Sequence, residues 1–140
     1  MIPFKGFSQS GDICNLNAVK AVNQHINKLS DRMCLEFLMA INTNCTNNVE
    51  FQEYSNETIF NILAKNPLIL CKTIDKHKSK INNELVFRMV SDPISDQIDL
   101  IMIKNEIKKL KYSGKSKQEL IKSIDEAVAK LNPENQHRTY

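Results

Sequence analysis

Apolar residues return at every third or fourth position along most of this 140-residue chain. Side chains at these intervals share one face of an α-helix, whereas a half-buried strand alternates at every second residue. No segment alternates for long enough to compete as a strand, and three glycines and four prolines are too few for the turns of a small all-β domain. The pattern therefore predicts an all-α fold. Its clearest examples are Leu16, Val19, Val22 and Ile26, and later Leu120, Ile124, Val128 and Leu131.

The length and the breaks in this periodicity predict one helical domain over residues 1–140. We expect six or seven short helices packed as antiparallel pairs, in a compact bundle or a short α-solenoid-like array. Residues 1–14 contain Pro3, Gly6 and Gly11 without sustained periodicity, which predicts an irregular N-terminal lead-in. Residues 133–140 begin with a proline and are predicted to form a frayed tail.

Three helix boundaries carry recognisable signals. Ser55 is predicted to begin the third helix. Asn66-Pro67 is predicted to end it and to start the fourth, with Asn66 as the cap and Pro67 at the first helical position. Ser116 and Glu119 have the spacing of a capping box, which predicts the start of the last helix.

One internal similarity favours a repeated helical unit. Residues 56–64 match residues 83–91 at a constant offset of 27, and an Asn-Pro or Asp-Pro pair follows each match. Two stacked helical pairs would produce such a pattern. The offset is shorter than the roughly 34 to 47 residues of common helical repeats, and chance similarity between apolar segments is the alternative.

The four cysteines lack the close spacing of a zinc or redox motif. Cys34 and Cys71 lie within apolar helical patterns, which favours buried thiols. Two disulfides with three connectivities are the alternative for an exported chain. If a single bridge forms, we expect it to join Cys14 to Cys45, because both lie in predicted loops.

The sequence offers no recognisable catalytic, cofactor-binding or metal-binding residues. The histidines, His25, His77 and His137, have no nucleophile motif near them. A cysteine nucleophile that the fold brings next to a histidine is the alternative. Residues 114–116 resemble the end of a phosphate loop, but position 109 is lysine where that loop needs glycine. We therefore expect no enzyme activity and no cofactor.

The charges suggest one candidate binding surface. Residues 71–140 contain 14 basic and 10 acidic groups, and Lys104, Lys108 and Lys111 follow one another at helical spacing. Such a stripe could bind phosphates, although no aromatic stacking platform accompanies it and a solvated lysine surface is the ordinary alternative. Glu50, Glu53 and Glu57 would share a face if their segment is helical, which would ordinarily be a solvated acidic face.

These observations lead to a ranked expectation for function. The first hypothesis is a non-enzymatic protein-binding module, such as an adaptor, an inhibitor or an immunity-type partner, because short helical pairs build grooved surfaces. The second is a weak nucleic-acid-associated protein that uses the lysines. No apolar run is long enough to span a membrane, so we expect a soluble protein. It would be cytoplasmic if the sequence is full length and exported if a signal segment was trimmed.

Overall fold

The computed structural model describes residues 14–45 and 47–131, and this part of the chain folds into α-helices without strands. The predicted all-α class and helix number are confirmed there. The predicted lead-in, apart from residue 14, and the predicted tail lie outside the described residues. The seven helices are α1 (Leu16–Gln24), α2 (Asp31–Ala40), α3 (Val49–Lys65), α4 (Pro67–Lys76), α5 (Asn83–Val90), α6 (Leu100–Lys108) and α7 (Lys115–Leu131).

The helices pack against both near and more distant neighbours in the chain. Consecutive helices contact each other at α1–α2, α3–α4 and α6–α7. The contacts α1–α3, α2–α4 and α5–α7 join helices that are two apart in the chain. Helix α3 lies at the centre, where it packs against α1, α4, α5 and α6. One hydrophobic core results, and its largest fully buried side chains include Phe37, Phe51, Leu38, Ile59, Leu70 and Ile124. No helix of residues 14–45 and 47–131 has the length and apolarity needed to cross a bilayer.

Short polar side chains begin most of these helices. In five helices, the residue before the first turn accepts a hydrogen bond from a backbone N–H of that turn. Such a cap satisfies a donor that the helix itself leaves without a partner. The capping residues are Asn15, Ser30, Asn48, Asn82 and Asp99.

The structure corrects one predicted helix start and one predicted cap in α3 and α4. Helix α3 begins at Val49 and not at Ser55, because Asn48 caps it and Phe51 buries its ring in the core. Ser55 lies inside the helix, where its hydroxyl donates to the carbonyl of Phe51 at 2.6 Å. Asn66 ends α3 as predicted, but its side chain makes no capping bond to α4.

The two similar segments occupy different places in their helices. Residue 56 is in the middle of the 17-residue α3, whereas residue 83 is the first residue of the eight-residue α5. The repeated unit therefore remains a prediction.

The structure contains one disulfide, between the two cysteines that the sequence favoured for a single bridge, and the two cysteines predicted to be buried thiols are free. A disulfide joins Cys14 to Cys45, whose Cα atoms are 5.5 Å apart, while Cys34 and Cys71 are free and buried. The N–H of Cys14 also donates to the carbonyl of Ala40 at 2.9 Å. The bridge and this hydrogen bond hold the start of α1 against the end of α2.

Candidate functional site

A groove open to solvent separates α3 from the segment that leads into α6, and we call it the α3–α6 groove. Its volume is about 420 Å³. Phe60 and Ile103 form a floor that is only 3% and 2% exposed, whereas Met102 at the rim is 40% exposed. Ile94, next in the chain to a lining residue, is 57% exposed. The lining residues are Glu57, Phe60, Asn61, Ala64, Ser95, Gln97, Ile98, Asp99, Met102 and Ile103.

Asn56 holds one wall of this groove in place. Its Nδ2 donates to the carbonyl oxygens of Met89 and Asp92 at 3.2 and 3.4 Å. Its Oδ1 accepts a hydrogen bond from the N–H of Ile94 at 3.0 Å. Because Asn56 is buried in α3, these bonds fasten the loop between α5 and α6 to the central helix.

Acidic side chains lie along both walls of the α3–α6 groove. Glu50, Glu53 and Glu57 are exposed on α3, at steps of three and four residues that place them on one face, and we call them the acidic stripe. The sequence predicted a shared face for these three glutamates only if their segment is helical, and all three lie in α3. Asp96 and Asp99 are exposed on the opposite wall. None of the five carboxylates forms an ion pair with another described residue.

A second groove lies between α5 and α7, next to the end of α4, and we call it the α5–α7 groove. It consists of two adjoining cavities of about 390 and 250 Å³. Among the described residues that line it, only Ile74 and Phe87 are apolar. Acidic and basic groups balance among the rest, namely Asp75, Glu84, Glu119 and Glu126 against Lys78, Arg88, Lys115 and Lys122.

The carboxylate of Asp75 joins α4 to the start of α7. Its Oδ2 accepts hydrogen bonds from the hydroxyl of Tyr112 at 2.6 Å and from that of Ser116 at 2.8 Å. Its Oδ1 accepts from the backbone N–H of Ser116 at 3.1 Å. We call these three residues the Asp75 junction.

The predicted capping box of Ser116 and Glu119 is wrong, because the cap of α7 comes from the Asp75 junction. Helix α7 begins at Lys115, so Ser116 already lies in its first turn, where its N–H is capped by the side chain of Asp75 from another helix. A Cβ at Gly114 would collide with the Asp75 carboxylate and the Tyr112 ring. Glycine at this position therefore allows both side chains to lie close to the backbone. Burial and the neighbouring carboxylate raise the pKa of Tyr112 to about 12.

The three candidate lysines do not form one stripe. Lys104 makes an ion pair with Asp125 of α7 at 2.6 Å. Lys108 is exposed at the end of α6, and Lys111 is exposed beyond the end of that helix. Helical spacing therefore does not relate Lys111 to the other two. Binding of nucleic acid by these residues stays a prediction.

The free cysteines are in surroundings that disfavour a reactive thiolate. Burial raises the pKa of Cys34 to about 12 and that of Cys71 to about 11. A nucleophilic cysteine needs the opposite shift. His25 is exposed and its Nδ1 lies 3.0 Å from the carbonyl of Ala21, His77 directly follows α4, and position 137 is outside the described residues. Among residues 14–45 and 47–131, no cluster of three or more potential ligands is arranged to hold a metal ion.

Comparison with known protein families, curated proteins and solved structures finds no match to this chain. We therefore interpret both grooves from their own side chains. Sequence reasoning identified neither of them, because each is formed by helices that are distant in the chain. No sequence signal singled out Asn56, because its hydrogen-bond partners Met89, Asp92 and Ile94 lie more than 30 residues away in the chain.

Proposed function

We propose that this protein acts by binding another protein, without catalysis of its own, and that the α3–α6 groove is the contact surface. Roles as an adaptor, an inhibitor or an immunity-type partner all fit this proposal. The observation that carries it is the exposure of Met102 and Ile94 beside a groove with an apolar floor. Burial of apolar surface against a partner contributes about 25 cal/mol per Å², which favours association at such a place.

The composition and rigidity of the α3–α6 groove support this role. Five of its ten lining residues are apolar. One wall is the central helix α3, and the hydrogen bonds of Asn56 fasten the loop of the other wall to it. A surface that is already ordered loses little conformational entropy when a partner binds.

The polar groups of the α5–α7 groove support the absence of catalysis. The hydroxyl of Ser116 is buried between the carbonyl of Cys71, at 2.9 Å, and the carboxylate of Asp75. A hydroxyl packed in this way is enclosed by the helices and is not presented to a substrate. The raised pKa values of Cys34 and Cys71 likewise keep both thiols protonated near neutral pH.

Site-specific cross-linking tests the proposal. A photoreactive amino acid at Met102, in extract of the organism that carries the gene, should capture one dominant protein, and the same label at exposed Gln118 should not. The captured protein, made recombinantly, should bind the native chain directly. Its affinity should fall about tenfold or more with Met102→Glu and change less than about twofold with Gln118→Glu, because only the first change places a charge in the groove.

Two results would overturn the proposal. One is recovery of nucleic acid alone from the cross-linked sample. The other is a captured protein whose affinity responds equally to Met102→Glu and to Gln118→Glu. Circular dichroism of both variants checks that the helices remain folded.

A further inference from the structure

We infer that the segment bound in the α3–α6 groove is a basic amphipathic helix of the partner protein. This inference rests on the proposed function and adds the chemistry of the partner. Its three parts are the sign of the surrounding charge, the spacing of that charge and the apolar floor.

The charge around the groove has one sign. Glu57 and Asp99 are among the ten lining residues, and none of the ten is basic. Glu50, Glu53 and Asp96 extend the negative surface at either side, although the whole chain has a formal net charge of +3. Lysine or arginine residues of a partner would be attracted to these carboxylates, while phosphates or an acidic peptide would be repelled.

The spacing of the acidic stripe matches a helix. Glu50, Glu53 and Glu57 follow one another at steps of three and four residues, and the lining residue Ala64 lies further along α3. The distance from residue 50 to residue 64 corresponds to about 21 Å at the helical rise, which a partner helix of about 14 residues would cover. Basic side chains three and four residues apart on that helix would meet the carboxylates of the stripe.

The apolar part of the groove fits the other face of such a helix. Phe60 and Ile103 provide a buried apolar floor, and Met102 provides an exposed thioether side chain that adapts to the shape of its neighbours. An amphipathic helix binds in a groove through apolar side chains at steps of three and four residues. Binding of that kind would cover Met102 at the same time as the stripe is neutralised.

A synthetic peptide tests this chemistry directly. The probe is a fluorescently labelled helical peptide of about 14 residues, with leucine on one face and lysine on its flanks, measured by fluorescence anisotropy. A second peptide has glutamate in place of every lysine. The lysine peptide should bind the native chain more weakly as salt increases, because salt screens exposed charges, and the glutamate peptide should not bind.

Two charge-reversal variants locate the contact. Glu53→Lys combined with Glu57→Lys should weaken binding of the lysine peptide about tenfold or more. The matched control, Glu36→Lys combined with Glu126→Lys, changes the net charge equally at exposed positions of α2 and α7 and should change the affinity less than about twofold. Equal loss in both double variants would overturn the inference, as would equal binding of both peptides or failure of the lysine peptide to bind.

The cross-linking experiment separates this inference from the proposed function. A partner captured at Met102 through an acidic or non-helical segment would refute the basic helix and leave the protein-binding function in place. Binding of the lysine peptide together with capture of no protein at Met102 would count against the proposed function itself.

Discussion

The two grooves differ in what their polar groups do. The α5–α7 groove is lined by four acidic and four basic groups, and the carboxylate of Asp75 accepts the hydrogen bonds that join α4 to α7. In the α3–α6 groove the carboxylates have no ion-pair partner among the described residues, and half of the lining is apolar. The Asp75 carboxylate of the first groove therefore stabilises the fold, whereas the described lining of the second groove is half apolar and contains no basic residue.

Replacement of Asp75 should have the largest effect on stability. Asp75→Ala removes the cap of α7 and leaves the N–H and hydroxyl of Ser116 without that acceptor, so we expect the free energy of unfolding to fall by about 3 kcal/mol. Urea denaturation measures the change. The control Glu119→Ala, in the same groove, should stay within about 0.5 kcal/mol. Similar values for both variants would mean that the Asp75 junction does not stabilise the fold.

Replacement of Asn56 should have the next largest effect. Asn56→Ala leaves the N–H of Ile94 and two carbonyl groups without their partner, so we expect a loss of about 2 kcal/mol. Asn105→Ala, at an exposed position of α6, should stay within about 0.5 kcal/mol. Faster amide hydrogen exchange in the loop that follows α5 should accompany the change at Asn56. Unchanged exchange there would show that this side chain does not hold the wall of the α3–α6 groove.

Tyr112 should give a smaller effect that depends on pH. Tyr112→Phe removes one hydrogen bond to Asp75 and should lower stability by about 1 kcal/mol near neutral pH. The folded state holds the phenolic proton more tightly than the unfolded chain, with a pKa of about 12 against 10.0. The contribution of Tyr112 is therefore complete below pH 10 and is lost as the pH rises through 12. Stability curves of the native chain and of Tyr112→Phe should converge over that range, and parallel curves would contradict the prediction.

Charge reversal in the acidic stripe should have the smallest effect on stability. Glu53→Lys combined with Glu57→Lys changes exposed side chains that have no ion-pair partner among the described residues, so we expect a shift within about 0.5 kcal/mol. Thermal unfolding measures it. A loss near that of Asp75→Ala would assign the stripe to the fold and remove the distinction between the grooves.

The sequence predicted what depends on local pattern and missed what depends on distant partners. Apolar periodicity identified the helices, and loop positions identified Cys14 and Cys45 as the pair in the case of a single bridge. The cap of α7 was assigned to the wrong residue, because its real source, Asp75, lies 41 residues earlier than Ser116. The α3–α6 groove was not foreseen, because it depends on bonds between Asn56 and a loop more than 30 residues away.

The disulfide makes the molecule sensitive to the redox potential of its surroundings. It closes a loop across a sequence separation of 31 residues, and a crosslink over that distance contributes about 4 kcal/mol to stability in the chain-entropy description. Thiol buffers such as glutathione set whether a bridge of this kind stays closed. Since α3 begins only four residues after Cys45, reduction would release the chain next to Glu50, where the acidic stripe starts. Binding at the proposed contact surface would then have a different affinity in an oxidising compartment and in a reducing one.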